Sequence, residues 1–194
     1  MQKLDQSYIK SVVRKALEED LKPRGDITTK LIANKDKIVK ARIVAKQDGI
    51  ITGLDFCKTA FKLIGRETVF YSKAFDGKKI KKNKVVAVIK AKTKTILTAE
   101  RTALNFLNHA SGIATLTNTF AKKISKKIKV CCTRKTTPNL RTLEKYAVKK
   151  GGGYNHRYNL SDEILIKDNH ISASNNLREL VKKAIKTKKI VTVE

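Results

Sequence analysis

The chain has 194 residues, 41% of them hydrophobic, which is enough apolar material for one large domain or two small ones and excludes wholesale disorder. Forty-four Lys and Arg against 17 Asp and Glu leave a formal net charge of +27, so the partners to expect are polyanions: nucleic acid, an anionic membrane, or phosphorylated and carboxylated small molecules. The opening MQKLDQSYIK lacks the apolar stretch of a signal peptide, and no run of about 18 apolar residues exists to span a membrane.

In chain order, SYIKSVVRKALEED sets Ile9, Val12, Val13, Ala16 and Leu17 on one helical stripe. KPRGDITTKLI breaks that helix with Pro23 and Gly25. The β-branched IVKARIVAKQDGIITG predicts strand, turn and strand. GLDFCKTAFKLIG predicts a helix with Leu54, Cys57, Ala60, Phe61 and Ile64 inward, closed by Gly65. TVFYSKAFDGKKI and KVVAVIKAK predict two more strands, with Asp76-Gly77 as a turn. Together these segments predict helices layered on a largely antiparallel sheet.

From Thr95 the pattern changes. TILTAERTALNFLNHASGIATLTNTFAKKI predicts one or two helices with Ile96, Ala99, Ala103, Leu104 and Leu107 on the apolar stripe and Gly112 as the break. KVCCT then predicts a strand, PNLRTLEKYAVKK a helix with Pro138 near its first turn, GGGYNHR a loop, EILIK a strand, NNLRELVKKAIK a helix and KIVTVE a strand. Such alternation predicts parallel pairing, since parallel neighbours need a crossover. Cys57, Cys131 and Cys132 have no C-x-x-C spacing, which argues against a zinc site or disulfide framework. They are expected as reduced, buried thiols, with Cys131 and Cys132 in a strand core. The chain ends at Glu194 on a strand, and the expectation is a fragment of a longer barrel.

In α/β barrels the chemistry sits at the C-terminal ends of the strands. KVCCT runs into Arg134-Lys135, EILIK ends in Lys167 before Asp168-Asn169-His170, and KIVTVE ends in Glu194. Three apolar runs thus deliver ionisable groups to one rim. The glycine loop adds His156 and Arg157, and a guanidinium fork matches a carboxylate with two hydrogen bonds. Arg101 lies at the polar margin of its helix, where its neighbour Glu100 is not positioned as an i+4 partner.

On these residues the chain resembles quinolinate phosphoribosyltransferase, also called nicotinate-nucleotide pyrophosphorylase (carboxylating). The likeness is carried by ERTALNFLNHASGIAT, TRKTTPNLRTLEKYAV, GGGYNHRYNLSDEILIKDNHI and VTVE, with EDLKPRGDITT and GLDFCKTAF nearer the start. It implies an α/β fold: an N-terminal α+β sandwich domain over residues 1–110, then the first units of an incomplete α/β barrel over 111–194. It implies transfer of the phosphoribosyl group of phosphoribosyl pyrophosphate (PRPP) to quinolinate, with Mg²⁺, releasing pyrophosphate and CO₂ for NAD synthesis. It implies a cytoplasmic homodimer, or a hexamer, in which each sandwich covers its partner's barrel mouth and Arg101 crosses that interface. Arg134, His156, Arg157 and Lys167 are similar to quinolinate-site residues, Lys135 and Thr136 lie in the same substrate-binding TRKT segment, Lys135 and Lys167 are also similar to PRPP-facing residues, and Glu194 to a glutamate near the sugar and Mg²⁺. Glu194, Lys135 and Lys167 are the implied catalytic groups, and no residue is implied as a direct metal ligand. Asn139 stands where the family has glycine, and the family's next strand, with its aspartate, is absent from this chain. Two alternatives share part of the pattern: a related transferase associated with molybdate transport, and an inactive remnant. A nucleic-acid-binding protein would explain the charge, but 6% aromatics and no nucleic-acid-reading motif argue against it.

Overall fold

The computed structural model describes residues 4–31, 36–125 and 127–194. Helix α1 (Gln6–Leu21) starts where Asp5 accepts the Ser7 amide at 3.0 Å, and it buries Ile9, Val13 and Leu17. A short α2 (Ile27–Leu31) follows the Pro23–Gly25 break, with Asp26 accepting the Thr29 amide at 2.9 Å. Strands β1 (Ile38–Val44), β3 (Val69–Ser72) and β5 (Val85–Lys92) form an antiparallel sheet in the order β1-β5-β3. Strands β2 (Gly49–Ile50) and β4 (Lys79–Ile80) pair antiparallel beside it. As the central strand, β5 buries Val86, Ile89 and Ala91 and exposes Lys90 and Lys92.

Helix α3 (Leu54–Ile64) buries Leu54, Phe56, Cys57, Ala60 and Phe61. Asp76, expected only as a turn residue, accepts the Leu54 amide at 3.1 Å and so caps α3. Gly77 beside it takes φ 97°, as the turn requires. Helix α4 (Thr93–Lys123) is one helix of 31 residues and does not break at Gly112. A single glycine costs about 1 kcal/mol in a helix interior. Packing on both sides of it, from Ala99 and Ala103 to Ala110 and Ala114, all fully buried, offsets that cost. The core lies between α1, α3, α4 and the sheet, where the Phe56 and Phe106 rings meet at 5.3 Å. The 110/111 division expected between domains falls inside α4.

The second half alternates as expected, with parallel pairs. Strand β6 (Cys131–Cys132) pairs with β7 (Tyr154–Asn155) across helix α5 (Arg141–Lys150). Strand β8 (Ile164–Ile166) pairs with β9 (Val191–Val193) across α6 (Asp168–Ser174) and α7 (Leu177–Lys186). Two elements depart from the sequence reading. The glycine segment is not all loop, because the Tyr154 amide donates to Val130 O at 2.8 Å and starts β7. The DNHISAS segment is helix α6. Cys57 is buried as expected, but Cys131 is exposed and Cys132 half-buried. The reason is that β6 is two residues long and pairs with β7 alone among the described residues, so no strand core encloses those thiols. The whole is a mixed α/β fold with a partial barrel: helix α5 joins the sandwich core through Leu143 and Ala147.

Candidate functional site

The loop after β6 is braced from below. Thr133 Oγ1 accepts the Lys135 amide at 3.2 Å, and the Thr137 amide reaches both Glu144 oxygens at 3.3 Å. Thr136 acts as a brace: its hydroxyl donates to Arg134 O at 3.4 Å and accepts from Arg141 Nε at 3.1 Å. Asn139 has φ 65°, the left-handed conformation expected where a glycine is replaced by asparagine. Held this way, Lys135 is exposed while Arg134 is half-buried, and its Nε is buried without an acceptor. Unpaired buried donors are rare and mark places where something else binds or where water enters.

The parallel register of β8 and β9 sets Lys167 beside Glu194. The Glu194 amide donates to Ile166 O at 2.9 Å, and Lys167 Nζ meets Glu194 Oε2 at 2.5 Å. The hydrogen bond and charge of Lys167 hold the Glu194 carboxyl below its ordinary value of 4.5. Lys135 acts in the same direction and Asp168 against it. The charge of Lys135, on the loop after β6, thus acts on Glu194 at the end of β9.

The glycine segment supplies the next layer. Gly151 to Gly153 end α5, with the Gly153 amide donating to Val148 O at 3.0 Å. His156 Nδ1 accepts the Arg157 amide at 2.8 Å and lies 3.7 Å from Glu163 Oε2. A nitrogen that accepts an amide has no proton for a carboxylate, so the shorter contact assigns the ring proton to Nε2. Arg157 is only 9% exposed, and its Nη1 donates to Glu163 O at 3.3 Å.

Arg101 is exposed on α4 and stands apart from this rim. It lines a cavity of about 970 Å³ with Tyr8, Asp20, Asn105, His109 and Asn139. Among the described residues it has no hydrogen-bond or ion-pair partner within the chain, in keeping with the missing i+4 acid. Two buried groups escaped the sequence reading. Glu144 binds His109 Nε2 at 2.9 Å as well as the Thr137 amide, tying the β6 loop to α4. Lys145, 3% exposed, donates to His156 O at 2.9 Å and to Cys132 Sγ at 3.2 Å. A lysine in an amphipathic helix signals solvent, so no feature of the sequence flagged it.

The described residues contain no cluster of three or more His, Cys, Asp or Glu that could hold a metal. Mg²⁺ is commonly held by one or two carboxylates together with substrate phosphates. The rim offers Glu194, already faced by Lys167, and Asp168. That donor set fits an ion carried in by a phosphorylated ligand and does not fit a resident one. No described helix is long and apolar enough to cross a membrane.

The N-terminal domain family of quinolinate phosphoribosyl transferase matches residues 26–111, and its C-terminal domain family matches residues 113–194. A probable nicotinate-nucleotide pyrophosphorylase (carboxylating) of Bacillus subtilis is 43% identical over 161 residues. That match covers 82% of this chain and 55% of the relative. Quinolinate phosphoribosyltransferase (decarboxylating) 1b of Nicotiana tabacum is 39% identical, covering 86% of this chain and 47% of the relative. The chain thus spans about half the length of these curated relatives. The crystal structure of NadC from Streptococcus pyogenes has a TM-score of 0.93 at 39% identity, covering 100% of this chain and 70% of that one. The nicotinate-nucleotide pyrophosphorylase of Francisella tularensis has a TM-score of 0.92 at 38% identity, covering 98% and 68%.

Proposed function

Because the chain belongs to the quinolinate phosphoribosyltransferase family, we propose that it takes part in transferring phosphoribosyl from PRPP to quinolinate. The products are nicotinate mononucleotide, pyrophosphate and CO₂, a step of NAD synthesis in the cytoplasm. What carries the reading is the Lys167–Glu194 contact at the ends of β8 and β9, together with a buried Arg134 Nε on the loop after β6 that has no acceptor among the described residues.

Quinolinate is a dianion and PRPP carries several negative charges, so bringing them together requires a cationic floor. Arg134 and Arg157 offer guanidinium forks to the two carboxylates. His156 donates from Nε2, and Thr136 keeps the β6 loop in place for Arg134. Lys135 and Lys167 face the diphosphate. Mg²⁺, when bound with PRPP, supplies further charge for the departing pyrophosphate. The pyridine nitrogen attacks the anomeric carbon as the bond to pyrophosphate breaks, and Glu194 stabilises the cation-like carbon between them. The nitrogen, now positive, draws in the electron pair of the adjacent carbon–carboxylate bond. CO₂ leaves and a proton fills the ring position. Positioning, charge and exclusion of water do the chemistry, with no covalent intermediate and no role for the cysteines.

The functional unit is a homodimer in which Arg101 of one subunit joins the rim of the other. The exposure of Arg101 and the lack of a side-chain partner for it among the described residues support this. Nucleic acid is not a partner in this reading. Calorimetric titration of quinolinate tests it: saturable binding is expected. Arg134→Ala should weaken that binding about ten- to a hundredfold, the range for charge-assisted hydrogen bonds. Unchanged affinity in Arg134→Ala would overturn the assignment.

A further inference from the structure

Lys145 presents a problem of charge. Its ammonium is buried on α5, where two of its three hydrogens go to neutral acceptors, His156 O at 2.9 Å and Cys132 Sγ at 3.2 Å. Among the described residues no carboxylate oxygen lies within 4.0 Å of it. The adjacent acid, Glu144, is engaged by His109 and the Thr137 amide, and the Glu163 carboxylate, 3.7 Å from His156 Nδ1, makes no ion pair with Lys145. A buried cation without a counter-charge is strongly unfavourable, and natural interiors pair such groups or leave them neutral. The same deficit recurs close by. Arg157 is 9% exposed and its guanidinium has one carbonyl acceptor, Glu163 O. Arg134 holds a buried Nε with no acceptor. Around β6, β7 and α5 three cations therefore gather, and none is neutralised by a described carboxylate.

We propose that Lys145 is a positioning residue of the anion site: its charge is balanced by the bound ligand's carboxylates, and its bond to His156 O fixes the His156-Arg157 segment against β6. The assignment rests on reading this rim as the quinolinate site. It differs from that reading in naming a group beneath the surface, held back from contact by the backbone it organises.

A purely structural lysine and a ligand-balanced one behave oppositely when neutralised. Loss of a structural hydrogen bond lowers stability. Loss of an uncompensated buried charge leaves the ligand-free protein as stable or more so, and weakens the anion alone. The experiment compares wild type, Lys145→Met and Lys145→Gln by urea unfolding without ligand and by calorimetric titration of quinolinate. The expected result is quinolinate affinity reduced about tenfold or more in both variants, with an unfolding midpoint at or above wild type for Lys145→Gln and a lower one for Lys145→Met, which loses the bond to His156 O. Glutamine can still donate to His156 O, so its loss of affinity isolates the charge. Wild-type affinity in either variant overturns the proposal, as does a Lys145→Gln protein that unfolds at lower urea. A wild-type chain that binds no quinolinate overturns the site reading itself, and Lys145's part in it. Wild-type binding with unaffected variants overturns Lys145 alone.

Discussion

Lys167 and Glu194 touch at 2.5 Å with side chains 40% and 64% exposed. An exposed pair of this kind contributes little to stability, so its importance lies in poise. The carboxyl is held below 4.5, chiefly by Lys167. A depressed folded value stabilises the fold above the ordinary carboxylate range, and that contribution fades as pH falls through the lowered value. The carboxylate thus stays charged throughout neutral conditions, as the role proposed for it at a cationic carbon requires. Lys167→Met should raise the Glu194 pKa toward 4.5, and a carbon-detected NMR titration of the carboxyl reads the change; an unmoved pKa would remove Lys167 as the cause. The rim charges were legible because each follows the last apolar residue of a strand, and parallel strands end on one side. Lys145 was not legible, since the pattern of a helix face does not say which lysine the next element will cover. The cysteines divide for a related reason. Cys57 sits on a helix stripe that packs, and burial pushes its thiol up to about 12. Cys131 sits on a strand too short to be enclosed.

At the scale of elements, two of the three glycines, Gly151 and Gly153, serve packing. A Cβ on Gly151 would fall on the Ala114 carbonyl oxygen and lie 2.7 Å from Thr117 Cβ. One on Gly153 would meet Thr117 Cγ2 at 2.7 Å and Val148 Cγ1 at 2.8 Å. Both contacts let α5 end against α4, where the Asn118 amide group donates to Gly151 O at 3.1 Å. Gly151→Ala should therefore force the helices apart and cost about 1–3 kcal/mol, the range for overpacking. Chemical denaturation measures it, and a midpoint equal to wild type would mean that this approach is not tight. Helical and strand periodicity made α1, α3, α4, β1, β5, β8 and β9 legible. Strand β7 was hidden because two residues give no alternation, and it forms only because the β6 backbone lies open beside it. The continuity of α4 was hidden because glycine looks like a stop, and only the buried alanines on either side of Gly112 show why it is not.

For the whole molecule the question is where an excess of +27 goes. Several acids are engaged with backbone amides: Asp5 and Asp26 cap helices, Asp36 and Asp76 receive the Lys94 and Leu54 amides, and Asp162 receives that of Tyr158. Acids used in this way hold the fold together while leaving Arg134 and Arg157 without a described carboxylate partner, and the net field draws anions toward them. Arg101 extends this logic beyond one chain. It is exposed beside α1 and the Pro138–Leu140 segment, and among the described residues no acid pairs with it. If a second subunit receives it, each site is built from two chains, and two differently damaged chains should repair one another. Arg101→Ala leaves its own rim intact but donates nothing. Arg134→Ala donates normally but has a broken rim. In a mixed dimer, one site combines the intact rim with the intact Arg101, and the other has neither. Equal mixing makes about half the dimers mixed, so about a quarter of the wild-type quinolinate sites should return under two-fold symmetry. Titration of the unfolded and co-refolded mixture counts those sites. Recovery near that fraction requires Arg101 to act in trans, whereas a mixture no better than its parents would confine Arg101 to its own subunit.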